Sequence, residues 1–154
     1  AMKFVLEAAN VAEHATCGRA RCGSIIIKDG AIIGKGSNSP PGDLESQRRC
    51  HIDKDSYHRR VTDKTCCVHA EQRAIMDALT RNPDRLTGAR LYFCRLDDDG
   101  KPKPSGDPYC TICSKMTLDA GIAEFVLWRE EGICVYGVEE YNDLSYQYQE
   151  NPEE

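Results

Sequence analysis

The chain has 154 residues, 40% of them hydrophobic, and a formal net charge of −5. That is the size of one domain with one core, no run approaches the ~20 apolar residues of a membrane span, and the acidic balance argues against binding nucleic acid by neutralising phosphates. Nine cysteines, an odd number, follow a beginning in which Met2-Lys3-Phe4-Val5-Leu6 turns at once to Glu7, so no leader peptide is expected and the thiols read as metal-bound or free in a reducing cytoplasm.

In chain order, Lys3 to Ala15 carries an apolar stripe of Phe4, Val5, Ala8, Val11, Ala12 and Ala15, which predicts a helix ended by Gly18. Cys17-Gly18-Arg19-Ala20-Arg21-Cys22 is too short and polar to be core. It is either a solvated connector or a place where Arg19 or Arg21 faces a phosphate. Residues 24–34 form two β-branched runs around Asp29-Gly30, a strong hairpin signal, and their continuous apolarity suggests strands covered on both faces. Residues 36–42 are a loop by composition. In it Asn38 is an ordinary turn residue or a donor to a sugar or base. From Asp43 to Thr65 there is charge but little periodicity, and a loop of that length without its own core is usually functional or disordered. Val68 to Leu79 places Ala70, Ala74, Ile75, Ala78 and Leu79 at helical intervals, and Asn82-Pro83 ends it. A strand over 89–95, a polar loop over 97–106, a helix over 110–120 ended by Gly121, strands over 124–128 and 133–136 and a short helix over 140–149 complete the reading. One domain over 1–154 is expected, with a core of about 3–138 and an acidic helix or tail over 139–154.

Two stretches carry chemistry, Cys67-Val68-His69-Ala70-Glu71 and Pro108-Tyr109-Cys110-Thr111-Ile112-Cys113. Cys110 and Cys113 are three apart, so on a helical turn their sulfurs share a face near the helix's positive end, where the thiolate is favoured. With His69 they make three zinc ligands, a number that leaves a fourth position open. Glu71, two residues past the histidine, is placed to carry protons. A redox dithiol or a purely structural zinc would also use Cys-x-x-Cys, but neither needs the carboxylate. Cys17, Cys50, His58 and Cys67 can be read as a second, closed zinc site stapling the long loop, or as unrelated reduced thiols and a surface histidine. Asp97-Asp98-Asp99 reads as a solvated turn. Charge is uneven. Residues 19–64 hold ten Lys and Arg against six Asp and Glu, whereas residues 139–154 hold six acids and no base. A small anionic ligand could therefore be held locally on an acidic protein.

His-x-Glu followed by Cys-x-x-Cys is the pattern of zinc-dependent base deaminases. The element order, with Cys17-Gly18-Arg19, residues 23–30 and 36–42, the Cys50 region and His69-Ala70-Glu71-Gln72-Arg73-Ala74-Ile75, resembles the cytidine deaminase superfamily and within it the deoxycytidylate (dCMP) deaminases. The resemblance implies a three-layer α-β-α sandwich with a mixed five-stranded sheet, a homo-oligomer, and attack of water on C4 of a cytosine ring with loss of ammonia. Carried over, His69, Cys110 and Cys113 hold zinc and Glu71 relays protons. The backbone N–H of Ala70 meets the base carbonyl and Asn38 meets the sugar. A second, structural zinc in some phage members, near positions matching Cys17 and Cys50, agrees with the staple. Tyr109 stands where the family usually has proline and is a candidate pocket wall. Gly36-Ser37-Asn38-Ser39 replaces the usual Gly-Tyr-Asn-Gly loop, which puts control by a triphosphate in doubt. The expected substrate is a free pyrimidine nucleotide, dCMP giving dUMP. Other amino-heterocycles, a base in tRNA or single-stranded DNA, and a zinc-stabilised module without catalysis are the alternatives.

Overall fold

The computed structural model describes residues 1–149; the rest of the expected acidic tail, through Glu154, lies outside the described residues. The order is α1 (Met2–Ala12), β1 (Cys22–Lys28), β2 (Ala31–Ser37), α2 (Ala70–Arg81), β3 (Arg90–Leu96), β4 (Pro102–Lys103), α3 (Thr111–Asp119), β5 (Glu124–Arg129), β6 (Gly132–Gly137) and α4 (Val138–Tyr146). Five strands run β2-β1-β3-β5-β6 across one mixed sheet, with β3 and β5 parallel and the other neighbours antiparallel. The short β4 pairs with Arg95 and Leu96 of β3, beyond the part of β3 that β5 reaches. The β1–β2 turn is the expected one: Asp29 and Gly30 both take positive φ, 51° and 77°, matching the strands' right-handed twist.

Side chains alternate between two cores, as the period of a strand requires. Ile25, Ile27, Tyr92, Cys94 and Val126 face α1 through Val5, Ala8 and Ala12. Ile26, Leu91, Phe93, Phe125 and Leu127 face the other way, toward α2 and Tyr141 of α4. Coverage on both faces explains why β1 is apolar without alternation; β2, at the sheet's edge, leaves Ile32 exposed. This is the expected three-layer sandwich, with β4 the addition. Pro102 and two residues of pairing left no pattern to read.

Boundaries moved for local reasons. α1 ends at Ala12 because the N–H groups of Glu13, His14 and Ala15 bond three residues back, tightening the last turn. α2 starts at Ala70 because Val68 donates instead to Ser39 O at 2.9 Å. The approach of α2 to β2 depends on Gly36: a Cβ there would lie 2.5 Å from Ala74 N and 2.6 Å from Ala70 O. Glycine thus lets the helix bearing the His-x-Glu pattern lie directly on the sheet edge.

Candidate active site

The N-termini of α2 and α3 meet. His69 is the N-cap of α2 and Cys110 that of α3. His69 Nδ1 lies 3.0 Å from Cys113 Sγ and 3.1 Å from Cys110 Sγ, and the two sulfurs are 3.1 Å apart. One ion at ordinary zinc distances, ~2.0–2.3 Å, can touch all three atoms of so tight a triangle, and two thiols with an imidazole are a donor set zinc favours. Cys110 takes a left-handed backbone, φ 72° and ψ 83°, a conformation a non-glycine residue holds only where its surroundings compel it. That turn directs its sulfur inward, where it also accepts from Cys113 N–H at 3.4 Å. On the far side of the ring, His69 Nε2 is 3.2 Å from Thr65 Oγ1. With Nδ1 turned to the sulfurs, Nε2–H donates to Thr65 and sets the ring's orientation.

The donors share protons unequally. The hydrogen bond from Cys113, and then the imidazole, hold the Cys110 thiol down at about 5 against the opposing effect of burial. The hydrogen bond to Cys110 drives Cys113 upward, and burial adds to it. His69 is lifted to about 9, chiefly by its hydrogen bond to Cys110. The Cys110 thiolate is thus the form its neighbours favour, which is the form a metal takes. Glu71, 8% exposed, has its carboxyl pKa raised by burial and then by the Cys110 thiolate, with His69 pulling the other way. A carboxyl moved toward neutrality is suited to passing protons in both directions.

His69, Ala70, Glu71 and Cys110 line a cavity of about 230 Å³ together with Asn38, Phe93 and Tyr109. That is below the ~300–1,000 Å³ usual for drug-sized ligands and suits a small ring. The same cavity is lined by four cations, Arg19, Arg49, Lys54 and Lys64. Arg19 donates to Cys50 O and Ile52 O at 3.2 and 3.3 Å, and Arg49 donates to Gln47. The ammonium groups of Lys54 and Lys64 have no hydrogen-bond or ion-pair partner among the described residues. Asn38 lines the cavity but its amide is already engaged, accepting from Cys22 N–H at 2.9 Å and donating to Ala20 O at 2.8 Å. Arg21 is outside the lining: its guanidinium donates to Glu13 O at 2.7 Å, across the end of α1.

A second group forms beside the first. The sulfurs of Cys17, Cys50 and Cys67 lie within 4.8 Å of one another. The expected fourth member, His58, is not with them. It is exposed, and its Nδ1 accepts from Arg60 N–H at 3.0 Å, because the loop carries it outward past the one-turn helix at Lys54–Ser56. Burial raises Cys50, but Gly18 N–H, Cys66, Arg48 and Cys67 outweigh it and bring the thiol to about 7.

Arg49, Lys54 and Lys64 were not individually readable, since charged loop residues show no period and only the folded path selects them. Tyr141 of α4 is core, stacked on Phe125 with ring centroids 3.9 Å apart, and it also closes a small cavity behind Glu71 and Tyr109.

A three-layer sandwich with one such centre on paired helix starts defines the class of zinc-dependent nucleobase deaminases. Residues 1–129 match the family model of the cytidine and deoxycytidylate deaminase zinc-binding region, and the chain belongs to that family. No curated protein sequence matches it. Among solved structures it is similar to dCMP deaminase from cyanophage S-TIM5 in complex with dCMP and dUMP, at 22% identity and TM-score 0.57 over 80% of this chain and 76% of that one. It is also similar to cytidine deaminases from Burkholderia pseudomallei (17%, TM-score 0.60, 91% and 94% of the chains) and Mycobacterium tuberculosis (16%, 0.52, 93% and 91%). At these identities the likeness shows the shared fold. Among the described residues no helix is long and apolar enough to cross a membrane.

Proposed function

We propose that the protein hydrolytically deaminates a free cytosine nucleotide, dCMP giving dUMP and ammonia. The observation that supports it most is the convergence of Arg19, Arg49, Lys54 and Lys64 on the cavity that also holds His69, Glu71 and Cys110. A nucleoside has no charge for these groups to meet; a monophosphate does. Bound by His69, Cys110 and Cys113, zinc lowers the pKa of a water molecule toward neutrality and so makes a nucleophile available.

The chain's own residues do the rest. Glu71 takes a proton from the water that adds to C4 of the ring and delivers it to N3. It then takes the proton of the new hydroxyl and passes it to the exocyclic amine, which leaves as ammonia while the C4 carbonyl forms. One water enters, one ammonia departs, and N3 keeps a proton. The Ala70 N–H, among the donors left free at the start of a helix, is assigned to the base carbonyl. Burial of Glu71 keeps bulk water from competing for its proton.

A nucleoside or free base is the second reading, favoured by the engagement of Arg19 and Arg49 with carbonyl oxygens of the loop, which leaves Lys54 and Lys64 the uncommitted cations. Ammonia release from dCMP, CMP, deoxycytidine, cytosine and guanine separates the two. Lys54→Ala with Lys64→Ala is expected to raise KM for dCMP about tenfold or more, the size of a lost hydrogen bond to a charged group, and to leave deoxycytidine nearly unchanged. Equal changes for both substrates would remove the phosphate-pocket reading.

A further inference from the structure

Behind the catalytic cavity lies a second, smaller space of about 20 Å³, enough for one molecule the size of water. Glu71, Phe93, Tyr109 and Cys110 line both. On its other side this chamber shares Ser105 and Asp107 with a surface basin of about 310 Å³. The three spaces therefore lie in series from Glu71 to solvent, and no residue of the 43–66 loop lines the last two. The chamber wall is largely Phe93, Leu127 and the rings of Tyr109 and Tyr141, a lining that admits a small neutral molecule and penalises an unpaired ion. Yet Tyr141, only 3% exposed, has no hydrogen-bond partner for its hydroxyl among the described residues, and a buried polar group left so is completed by a small polar occupant. Charge differs between the two ends. Four cations line the catalytic cavity, whereas in the basin Asp107, Glu130 and Glu131 balance Arg95, Lys103 and Arg129.

We infer that ammonia leaves by this back passage, from Glu71 through the chamber to the basin at Ser105 and Asp107, while the nucleotide still occupies the catalytic cavity. The inference rests on the proposed deamination, whichever cytosine substrate undergoes it, and not on the phosphate. The C4–N bond breaks with its electron pair going to nitrogen, and the amine is released at Glu71 as neutral NH3. A nucleotide in a cavity of about 230 Å³ leaves little space past it on the front side. The chamber accepts neutral ammonia, and the Tyr141 hydroxyl donates to its lone pair. Ammonia takes a proton from solvent only in the basin, where the ammonium ion meets balanced charge; the cations of the front cavity would repel it. The backbone of the doorway is fixed, since Ser105 N–H donates to Trp128 O at 2.7 Å and Arg129 pairs with Asp107. The Ser105 side chain makes no hydrogen bond among the described residues and lies outside the catalytic cavity, so it is the place to close or widen the passage.

The test follows conversion of the ring by absorbance, in the first turnover and at steady state, with dCMP and deoxycytidine, for the unaltered protein, Ser105→Trp and Ser105→Gly. Ser105→Trp closes the doorway. Its kcat should fall about tenfold or more for both substrates. Its first turnover should stay within about threefold of the unaltered rate, so that a burst of about one product per site precedes the slow phase. Ser105→Leu is a smaller plug and serves if the tryptophan variant does not fold. Ser105→Gly widens the doorway and should raise turnover of N4-methyldeoxycytidine, which must release the bulkier methylamine, about threefold relative to deoxycytidine. First and later turnovers slowed alike, a kcat within about threefold in folded Ser105→Trp, or a burst confined to dCMP, which would mean trapped nucleotide, each overturns the inference. So does an unchanged methylamine ratio in Ser105→Gly. Failure of the unaltered protein to convert any cytosine substrate would overturn the proposed function and the passage together; conversion insensitive to Ser105 overturns the passage alone.

Discussion

In the proposed reaction, Glu71 is the residue on which the chemistry turns. It is buried, its pKa is pushed upward by that burial and by the Cys110 thiolate, and it points toward the sulfurs, meeting the Cys113 thiol. Glu71→Gln keeps the shape and removes the proton carrier. Turnover should fall by about 10²–10⁴, the usual worth of a positioned acid–base, while zinc content, assigned to His69, Cys110 and Cys113, which could hold a metal ion, stays at the unaltered level. Loss of zinc with the activity would give the carboxylate a structural role instead. Tyr109 is the second residue with a decisive position. It precedes the left-handed Cys110, lines the cavity on one side and packs on the other against Tyr148, with ring centroids 5.6 Å apart. An aromatic pair is worth about 0.5–1.5 kcal/mol, so Tyr148→Ala should raise KM about two- to tenfold. Because the ring lies against the part of the cavity shared with Glu71, the change should be equal for dCMP and deoxycytidine; steady-state kinetics on both substrates checks it.

At the scale of elements, the site depends on how α2 is seated. Asp77 of α2 accepts from Lys35 N–H of β2 at 2.9 Å and from the Arg81 guanidinium at 2.6 and 2.9 Å, so one carboxylate ties the helix to the sheet edge. Partial burial raises its pKa, but Arg81 and the Lys35 N–H outweigh it and the net shift is downward. A carboxylate whose pKa is lowered in the folded state stabilises the fold above its unfolded value of ~3.9, and that contribution is lost as pH falls through the lowered folded value. Asp77→Asn should therefore cost about 1–2 kcal/mol at pH 7, and the gap in urea midpoints between it and the unaltered protein should close as pH falls through that lowered folded value.

The helix itself was legible, since Ala70, Ala74, Ile75 and Ala78 keep its period and all four are buried. So was the hairpin, whose Asp29-Gly30 is a local signal. The meeting of His69, Cys110 and Cys113 beside Glu71 was legible because these residues carry their meaning in spacing at two helix starts. His58, Arg21 and the loop cations were not, because their placement depends on the path of a segment with no period and no core. Nor was the left-handed turn at Cys110, which the joining of two helix starts imposes.

At the scale of the whole molecule, charge separates two kinds of substrate. The chain is acidic overall, at −5, yet four cations line one cavity. A polynucleotide must lay many phosphates along a surface and would meet net repulsion here. A single nucleotide places one phosphate where the local field is positive. Exposed cations such as Arg49 and Lys54 act over a distance that salt shortens, from ~10 Å at 0.1 M to ~3 Å at 1 M. KM for dCMP should therefore rise several-fold, about three to ten, between 0.05 and 0.5 M salt, while KM for deoxycytidine stays flat and kcat for both is unmoved. Single-stranded DNA added at low salt should neither inhibit dCMP turnover nor shift in a gel. Inhibition by the DNA, or a salt response shared by the uncharged nucleoside, would mean that the cations serve a larger anion than the one proposed.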